Sequence, residues 1–246
     1  MDYKISYSPN KSDLTALENW LKWEKDEFGT GFLCNWSVIL NLSKNDKLII
    51  ISINDAPIGF LGFLINDPLP TAEIQIFEIH PKHRKKGIAK LFVNSVLEHL
   101  KWNGIQAISL QCAPESSEAF WKKMGFLDYP DKRETYKSYH SNANKKLYKI
   151  IVDHLIVDSM LDADEKLELW NMEPIFAKGQ PPKYSWGMDY KGSDRALRHP
   201  IIFPVNDEWN IEWSRNGQVL YSGKIKKFAP TRECFDFLIL KHLPKQ

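Results

Sequence analysis

The sequence predicts an α/β (α+β) protein, with a mixed, largely antiparallel sheet flanked by helices and an additional β-containing C-terminal domain or extension. Three observations carry the prediction. Short β-rich runs occur at 47–65, 72–79 and 105–112. One long helical stripe, 87–102, separates the last two of these. Beyond about residue 153 the pattern changes, with prolines scattered through 174–206 and a strong hairpin signal at 209–221. The order strand, strand, strand, helix, strand, helix, strand, strand suits a sheet covered by helices. The expected division is a first domain over 1–153 and a second over 154–246.

The elements follow in order. Residues 12–26 read as a helix capped by Ser12 or Asp13, with Leu14, Leu17, Trp20, Leu21 and Trp23 at helical spacing. A short helix is expected at 32–43. Residues 47–53 and 58–65 form the arms of a hairpin around the turn signal Asn54-Asp55-Ala56-Pro57. A strand at 72–79 runs into a basic loop, 80–86. The helix 87–102 gathers Ile88, Leu91, Phe92, Val96 and Leu100 on one face and stops at Asn103-Gly104. A strand covers 105–112. Ser116 or Ser117 can cap a short helix that runs to Met124 and closes at Gly125. Strands are expected at 133–140 and 145–152, an acid-rich helix at 158–170, and a helix or strand at 234–243. Asn216-Gly217 suits a type I′ turn, which needs positive φ at both central residues.

Composition narrows the function. The chain has 246 residues, 43% hydrophobic and 26% charged, so there is ample apolar material for a core. Its 9 tryptophans extend into the C-terminal part, which argues for a second packed unit. A net charge of +2 gives no global drive towards nucleic acid or membrane, and neither is expected as a partner. Cys34, Cys112 and Cys234 are widely spaced and form no disulfide framework, so a reducing, cytoplasmic setting is expected. The first residues lack the apolar core of a signal peptide, and no run of about 18 apolar residues occurs. No metal is expected: His80 and His83 sit in the basic loop, and Asp158, Asp162, Asp164 and Glu165 lack the glycine and spacing of a calcium loop.

The chemistry concentrates at Ile79-His80-Pro81-Lys82-His83-Arg84-Lys85-Lys86-Gly87-Ile88-Ala89. A strand ends, a short loop follows, and a helix opens at a glycine. The first turn of a helix offers unpaired N–H groups and the positive end of a dipole, which together make an anion site. Gly87 and Ala89 let a phosphate approach the backbone. Lys82, Arg84, Lys85, Lys86 and Lys90 add local positive charge, so a pyrophosphate suits the position. A Walker-type loop is excluded because no Gly-Lys-Ser/Thr follows, and no Gly-x-Gly-x-x-Gly occurs there. The bland alternative for 82–86 is a solvated basic loop.

Arg84, Gly87 and Ala89 match the Arg/Gln-x-x-Gly-x-Gly/Ala pattern of the GNAT superfamily of N-acetyltransferases, which the chain resembles. Ala72-Glu73-Ile74 and Ile79-His80-Pro81 look like that family's fourth strand and its exit. Ala119-Phe120-Trp121-Lys122-Lys123-Met124-Gly125-Phe126 resembles a further common segment. The resemblance covers 47–152, with 1–46 compatible. It implies acetyl-CoA as cosubstrate and an amine as acceptor, with strands four and five splayed at a bulge to admit pantetheine. Glu78 and Ile79 then face the pantetheine, the amides of Arg84, Lys85, Lys86, Gly87, Ile88 and Ala89 face the pyrophosphate, and Ser116 and Trp121 touch the coenzyme. Glu73 stands where many relatives carry a functional glutamate and is the first candidate for the base, with Glu78 second. A helix cap is the competing role for Ser116, and a core position for Trp121. Many relatives have Tyr where this chain has Trp121, and an indole is no useful proton donor to a thiolate; Tyr129 is the substitute nearest in sequence.

Two readings of function follow. The first is an N-acetyltransferase acting by direct attack of a primary amine on the thioester. The second is a catalytically weak acyl-CoA-binding module whose C-terminal region contacts a partner. A third, a toxin-like enzyme acetylating charged tRNA, finds no basic stripe to support it. The region 154–246 reads as a lid on the acceptor cleft, a homodimer interface or an independent domain.

Overall fold

The computed structural model describes residues 2–130, 145–151, 164–171, 179–192, 195–206, 208–228, 231–234 and 236–243. The strand expected at 133–140 lies outside them. Internal packing divides the chain into two compact units, Met1–Gly125 and Phe126–Gln246. No helix among the described residues is long and apolar enough to cross a membrane.

In the first unit the chain runs through β1 (Lys4–Ser6), α1 (Lys11–Phe28), a 3₁₀ turn at Phe32–Asn35, α2 (Trp36–Lys44), β2 (Leu48–Ile53), β3 (Ala56–Ile65), β4 (Thr71–Ile79), α3 (Ile88–Trp102), β5 (Ala107–Cys112) and α4 (Glu118–Lys123). The strands lie in the order β1-β2-β3-β4-β5. All neighbours are antiparallel except β4 and β5, which are parallel because α3 carries the chain between them. The cap of α1 is Asn10, two residues before the expected position. Its Oδ1 accepts from the amides of Ser12 at 2.7 Å and Asp13 at 3.1 Å, while Asp13 Oδ2 accepts from the Asn10 amide, closing a capping box. The β2–β3 turn is a two-residue Asn54-Asp55 loop, with φ of 49° and 61°, so the second arm starts earlier than the proline suggested.

One face of this sheet is covered by α1 and α2. Leu17, Trp20, Leu21, Ile39 and Leu42 pack there on Leu48, Ile50, Phe60 and Ile76. From α3, residues Ile88, Phe92, Val93, Val96, Leu97 and Leu100 are buried, while Leu91, expected on the same face, is exposed, and Phe77 of β4 meets Phe92 across ring centroids 6.3 Å apart.

The second unit is β-rich. The short strand β6 (Leu127–Asp128) pairs antiparallel with β7 (Lys145–Ile150). The strands β8 (Glu165–Trp170), β9 (Tyr184–Gly187), β11 (Asn210–Arg215) and β12 (Gln218–Lys224) form a sheet in the order β12-β11-β8-β9. A second sheet has the order β10-β14-β13, from β10 (Ala196–Pro204), β13 (Thr231–Cys234) and β14 (Phe237–His242). Leu167, Leu169, Trp186, Phe203, Trp209, Ile211 and Leu240, among others, form one buried core. The expected helix at 158–170 is corrected over its described part. Glu165-Lys-Leu-Glu-Leu-Trp170 alternates with period two, burying Leu167 and Leu169, and period two is the pattern of a strand. Asn216 (φ 49°) and Gly217 (φ 76°) form the β11–β12 turn.

Candidate functional site

The site begins with an irregularity in β4. Gly62 pairs with Ile76 and Phe63 with Ile74, so Gln75 has no partner on β3 and forms a bulge. The parallel ladder with β5 runs from Thr71↔Ala107 to Ile74↔Leu110. Beyond it, β4 continues to Ile79 and β5 to Cys112 with no further pairs between them among the described residues. The two strands therefore part at the bulge, leaving backbone groups of β4 free to pair with something else.

Residues paired directly across an antiparallel ladder share a face. Leu64↔Glu73, Gly62↔Ile76 and Phe60↔Glu78 thus put Glu73, Ile76 and Glu78 on the face covered by α1 and α2. Glu73 is half-buried, with Leu64 and Ser109 as its strand neighbours. Glu78 is buried. Ile79 is buried too, and its carbonyl accepts from Arg84 Nε at 2.7 Å.

The loop after β4 makes a 3₁₀ turn at Pro81–His83 and then alternates in hand. Arg84 is extended, Lys85 has φ of 61°, and Gly87 caps α3 with φ of 80°. A Cβ added at Gly87 would meet nothing within 4 Å, so its surroundings are open. The amides of Ile88, Ala89 and Lys90 open α3 and have no partner within the helix. No side chain caps this end, and no acid stands in its first turn. An uncapped helix start beside open space, with two left-handed residues before it, matches an anion cradle. A pyrophosphate fits it on these grounds.

The basic side chains divide. Lys85 and Lys90 are exposed. Lys86 Nζ donates to the Lys82 carbonyl at 2.9 Å, and Lys82 Nζ sits 4.9 Å over the Trp23 ring. The Arg84 side chain turns back into the protein: Nη2 donates to Glu24 Oε1 at 3.2 Å and to Glu78 Oε1 at 2.9 Å. His80 stacks on Trp23 with ring centroids 5.1 Å apart, and its Nδ1 accepts from the Lys82 amide. Burial first, then the charges of His83, Lys82 and Arg84, push the His80 imidazole down to about 4. Burial and two lysines also lower His83. Both rings are therefore neutral at neutral pH and add no charge to the loop.

The remaining expected residues fall around β5 and α4. Ser116 is exposed in the 3₁₀ turn Glu115–Ser117. Ser117 holds the cap position of α4, one of the two that spacing suggested, but makes no side-chain capping bond. Trp121 is buried against Phe77 and Phe120, with centroids 5.4 and 5.1 Å away. Cys112 is buried in β5. Tyr129 falls in the second unit, where its ring lies 4.9 Å from that of Tyr148.

One residue of this constellation was missed. Glu24 is buried on α1, on the stripe Leu17, Trp20, Leu21, Glu24. Its signal in the sequence is a carboxylate at the i+7 place of an apolar i, i+3, i+4 series.

A bulged strand, a parted neighbour and an uncapped helix opened by a left-handed glycine make up the candidate site. Residues 14–126 match the model of the Acetyltransferase (GNAT) family, so this segment is a GNAT-type domain. Among solved structures it is similar to Ard1 from Thermoplasma volcanium, at 16% identity and a TM-score of 0.48, covering 62% of this chain and 100% of that one. It is similar to the PaiA N-acetyltransferase from Thermoplasma acidophilum, solved in complex with coenzyme A, at 17% identity and a TM-score of 0.47, with 61% and 99% covered. GCN5 from Tetrahymena aligns at 17% identity and a TM-score of 0.46, with 62% and 97% covered. No curated protein sequence matches the chain.

Proposed function

We propose that the chain is a cytoplasmic, acetyl-CoA-dependent N-acetyltransferase that moves the acetyl group to a primary amine by direct attack. The observation that carries this is the open, uncapped start of α3 at Gly87, directly after a strand freed from its neighbour by a bulge. The amides of 85–90 receive the pyrophosphate, and the freed edge of β4 up to Ile79 pairs with the pantetheine as an added strand would. Acetyl-CoA supplies an activated acyl carbon whose thiolate leaves readily, the ordinary thiol pKa being about 8.5. The chain's own task is to orient the amine and take its proton, because an alkyl amine with a pKa of about 10.4 is mostly protonated at neutral pH. Glu73 and Glu78, on one face of the sheet, are the candidates for that base.

The test follows free thiol released from acetyl-CoA over a panel of primary amines. Amine-dependent release supports the reading, and a roughly 100-fold fall in Glu73→Gln or in Glu78→Gln tells which of the two carboxyls is the base. Tight binding of acetyl-CoA with no release for any amine favours the acyl-CoA-binding module instead. The observation on that side is Trp121, an indole packed in an aromatic cluster where many relatives carry a phenol.

A further inference from the structure

We infer that Glu24 of α1 and Glu78 of β4 act as one proton-accepting pair mounted on Arg84, in which Glu78 takes the proton of the acceptor amine and Glu24 tunes when it can. This rests on the acetyltransferase reading above.

The geometry is specific. A single nitrogen, Arg84 Nη2, donates to Oε1 of both carboxylates, and Arg84 Nε is fixed on the Ile79 carbonyl. The two carboxyl side chains are only 4% and 8% exposed. Glu24 Oε2 and Glu78 Oε2 are buried and find no donor among the described residues. One turn earlier on α1, the buried indole N–H of Trp20 also lacks a partner among the described residues. Thus one donor and two acceptors stand unsatisfied at the junction of α1 with the end of β4, a concentration that calls for an exchangeable proton or water. Gly31, at φ of 108°, closes the α1–α2 link over this point: a Cβ there would lie 3.1 Å from Glu24 Oε2.

The charges do not balance. One guanidinium faces two carboxylates. His80 and His83 are neutral, Lys82 is over Trp23, and Lys86 is on a carbonyl. A proton held between the carboxyls removes the excess and satisfies the outer oxygens. Burial first and the Glu24 charge second push the Glu78 carboxyl up to about 8, against the pull of Arg84. A base that ionises near working pH is well matched to deprotonating an ammonium.

In the step, the acceptor ammonium gives one proton, through water, to ionised Glu78. The freed nitrogen lone pair forms the bond to the acyl carbon as the carbon–sulfur bond breaks. The sulfur leaves with the electron pair and takes a second proton from the nitrogen, and Glu78 returns its own proton to water. Glu24 acts through Glu78 and is a positioning residue.

The test has two arms on the full chain. In the first, glutamate side chains carry ¹³C at the carboxyl and are titrated by NMR without substrate. The wild type shows one carboxyl titrating near pH 8, assigned by its loss in Glu78→Gln, and in Glu24→Gln that midpoint falls by about one pH unit or more. In the second, thiol release at saturating acetyl-CoA is followed against pH. The limb assigned to Glu78 moves down with the midpoint, so Glu24→Gln at pH 6.5 works at a roughly 10-fold larger fraction of its own plateau, and Glu78→Gln loses the limb. A carboxyl near pH 8 that is absent from the wild type, or unmoved in Glu24→Gln, overturns the pair. A rate limb that survives in Glu78→Gln overturns the base role. Absence of release from the wild type with every amine overturns the acetyltransferase reading and the base role with it, while the titration still decides whether the pair exists.

Discussion

Single residues decide most of the candidate site. Arg84 was legible as part of a phosphate-binding pattern, but its side chain serves the protein: it neutralises part of a buried acid pair and anchors the end of β4. Arg84→Ala strands two buried carboxylates, and chemical denaturation should show a loss of about 2 kcal/mol, below the usual cost for a buried pair because Arg84 is half exposed. Glu165 plays a similar part in the second unit. It accepts from Tyr190 Oη at 2.7 Å, Trp213 Nε1 at 2.7 Å and Arg215 Nε at 3.1 Å, and it pairs with Arg195. These donors hold its carboxyl below the ordinary range despite burial. Glu165→Leu should cost about 3 kcal/mol in the same measurement, since two arginines lose their counter-charge. Nothing in the sequence announced this cluster, because Glu165, Tyr190, Arg195 and Arg215 come from separate strands and loops.

At the scale of elements, local patterns were read well wherever the period was long or the turn chemistry strong. The α3 stripe, the β2–β3 hairpin and the Asn216-Gly217 turn all follow from short-range sterics. Boundaries and caps were read less well. Ser12 and Asp13 are both good caps by residue type, yet Asn10 is the cap because Asp13 stands three residues on and closes a box with it. Asn10→Ala should therefore lower stability by about 1 kcal/mol, seen as a shift of the denaturant midpoint without a change of slope. The strand at Glu165–Trp170 was hidden by its acidic surroundings, and β9 and β10 by scattered prolines. Their strand character comes from pairing with residues distant in sequence, such as Leu167↔Trp213 and Phe203↔Leu238, which no local window contains.

For the molecule as a whole, the buried acid pair makes a signature in pH. Glu78 titrates near 8 in the folded chain and in the ordinary carboxylate range when unfolded. Its stabilisation is fully present below that ordinary range, where both states hold the proton. It is lost as pH rises towards 8, because the unfolded chain releases the proton first. His80, held near 4, works in the opposite sense, but only below its ordinary value of about 6.5. Between pH 6.5 and 8 the Glu78 effect is the larger contribution of the two, so thermal unfolding should come at falling temperature across this window and lose that slope in Glu78→Gln. The fold class and the strand–turn–helix geometry around Gly87 were legible because each is a local pattern. The acid pair was not, because Glu24 and Glu78 meet only once α1 packs on the sheet.

The central claim is that the backbone from Lys85 to Lys90, at the start of α3, receives the coenzyme's pyrophosphate. It is tested most directly by calorimetric titration of acetyl-CoA into the wild type and Gly87→Glu, with circular dichroism confirming that the variant is folded. A side chain at Gly87 points into the open space before α3 and brings a negative charge to the anion site. The prediction is measurable binding by the wild type and a loss of at least roughly 100-fold in the variant. Equal affinity in a folded Gly87→Glu would contradict it.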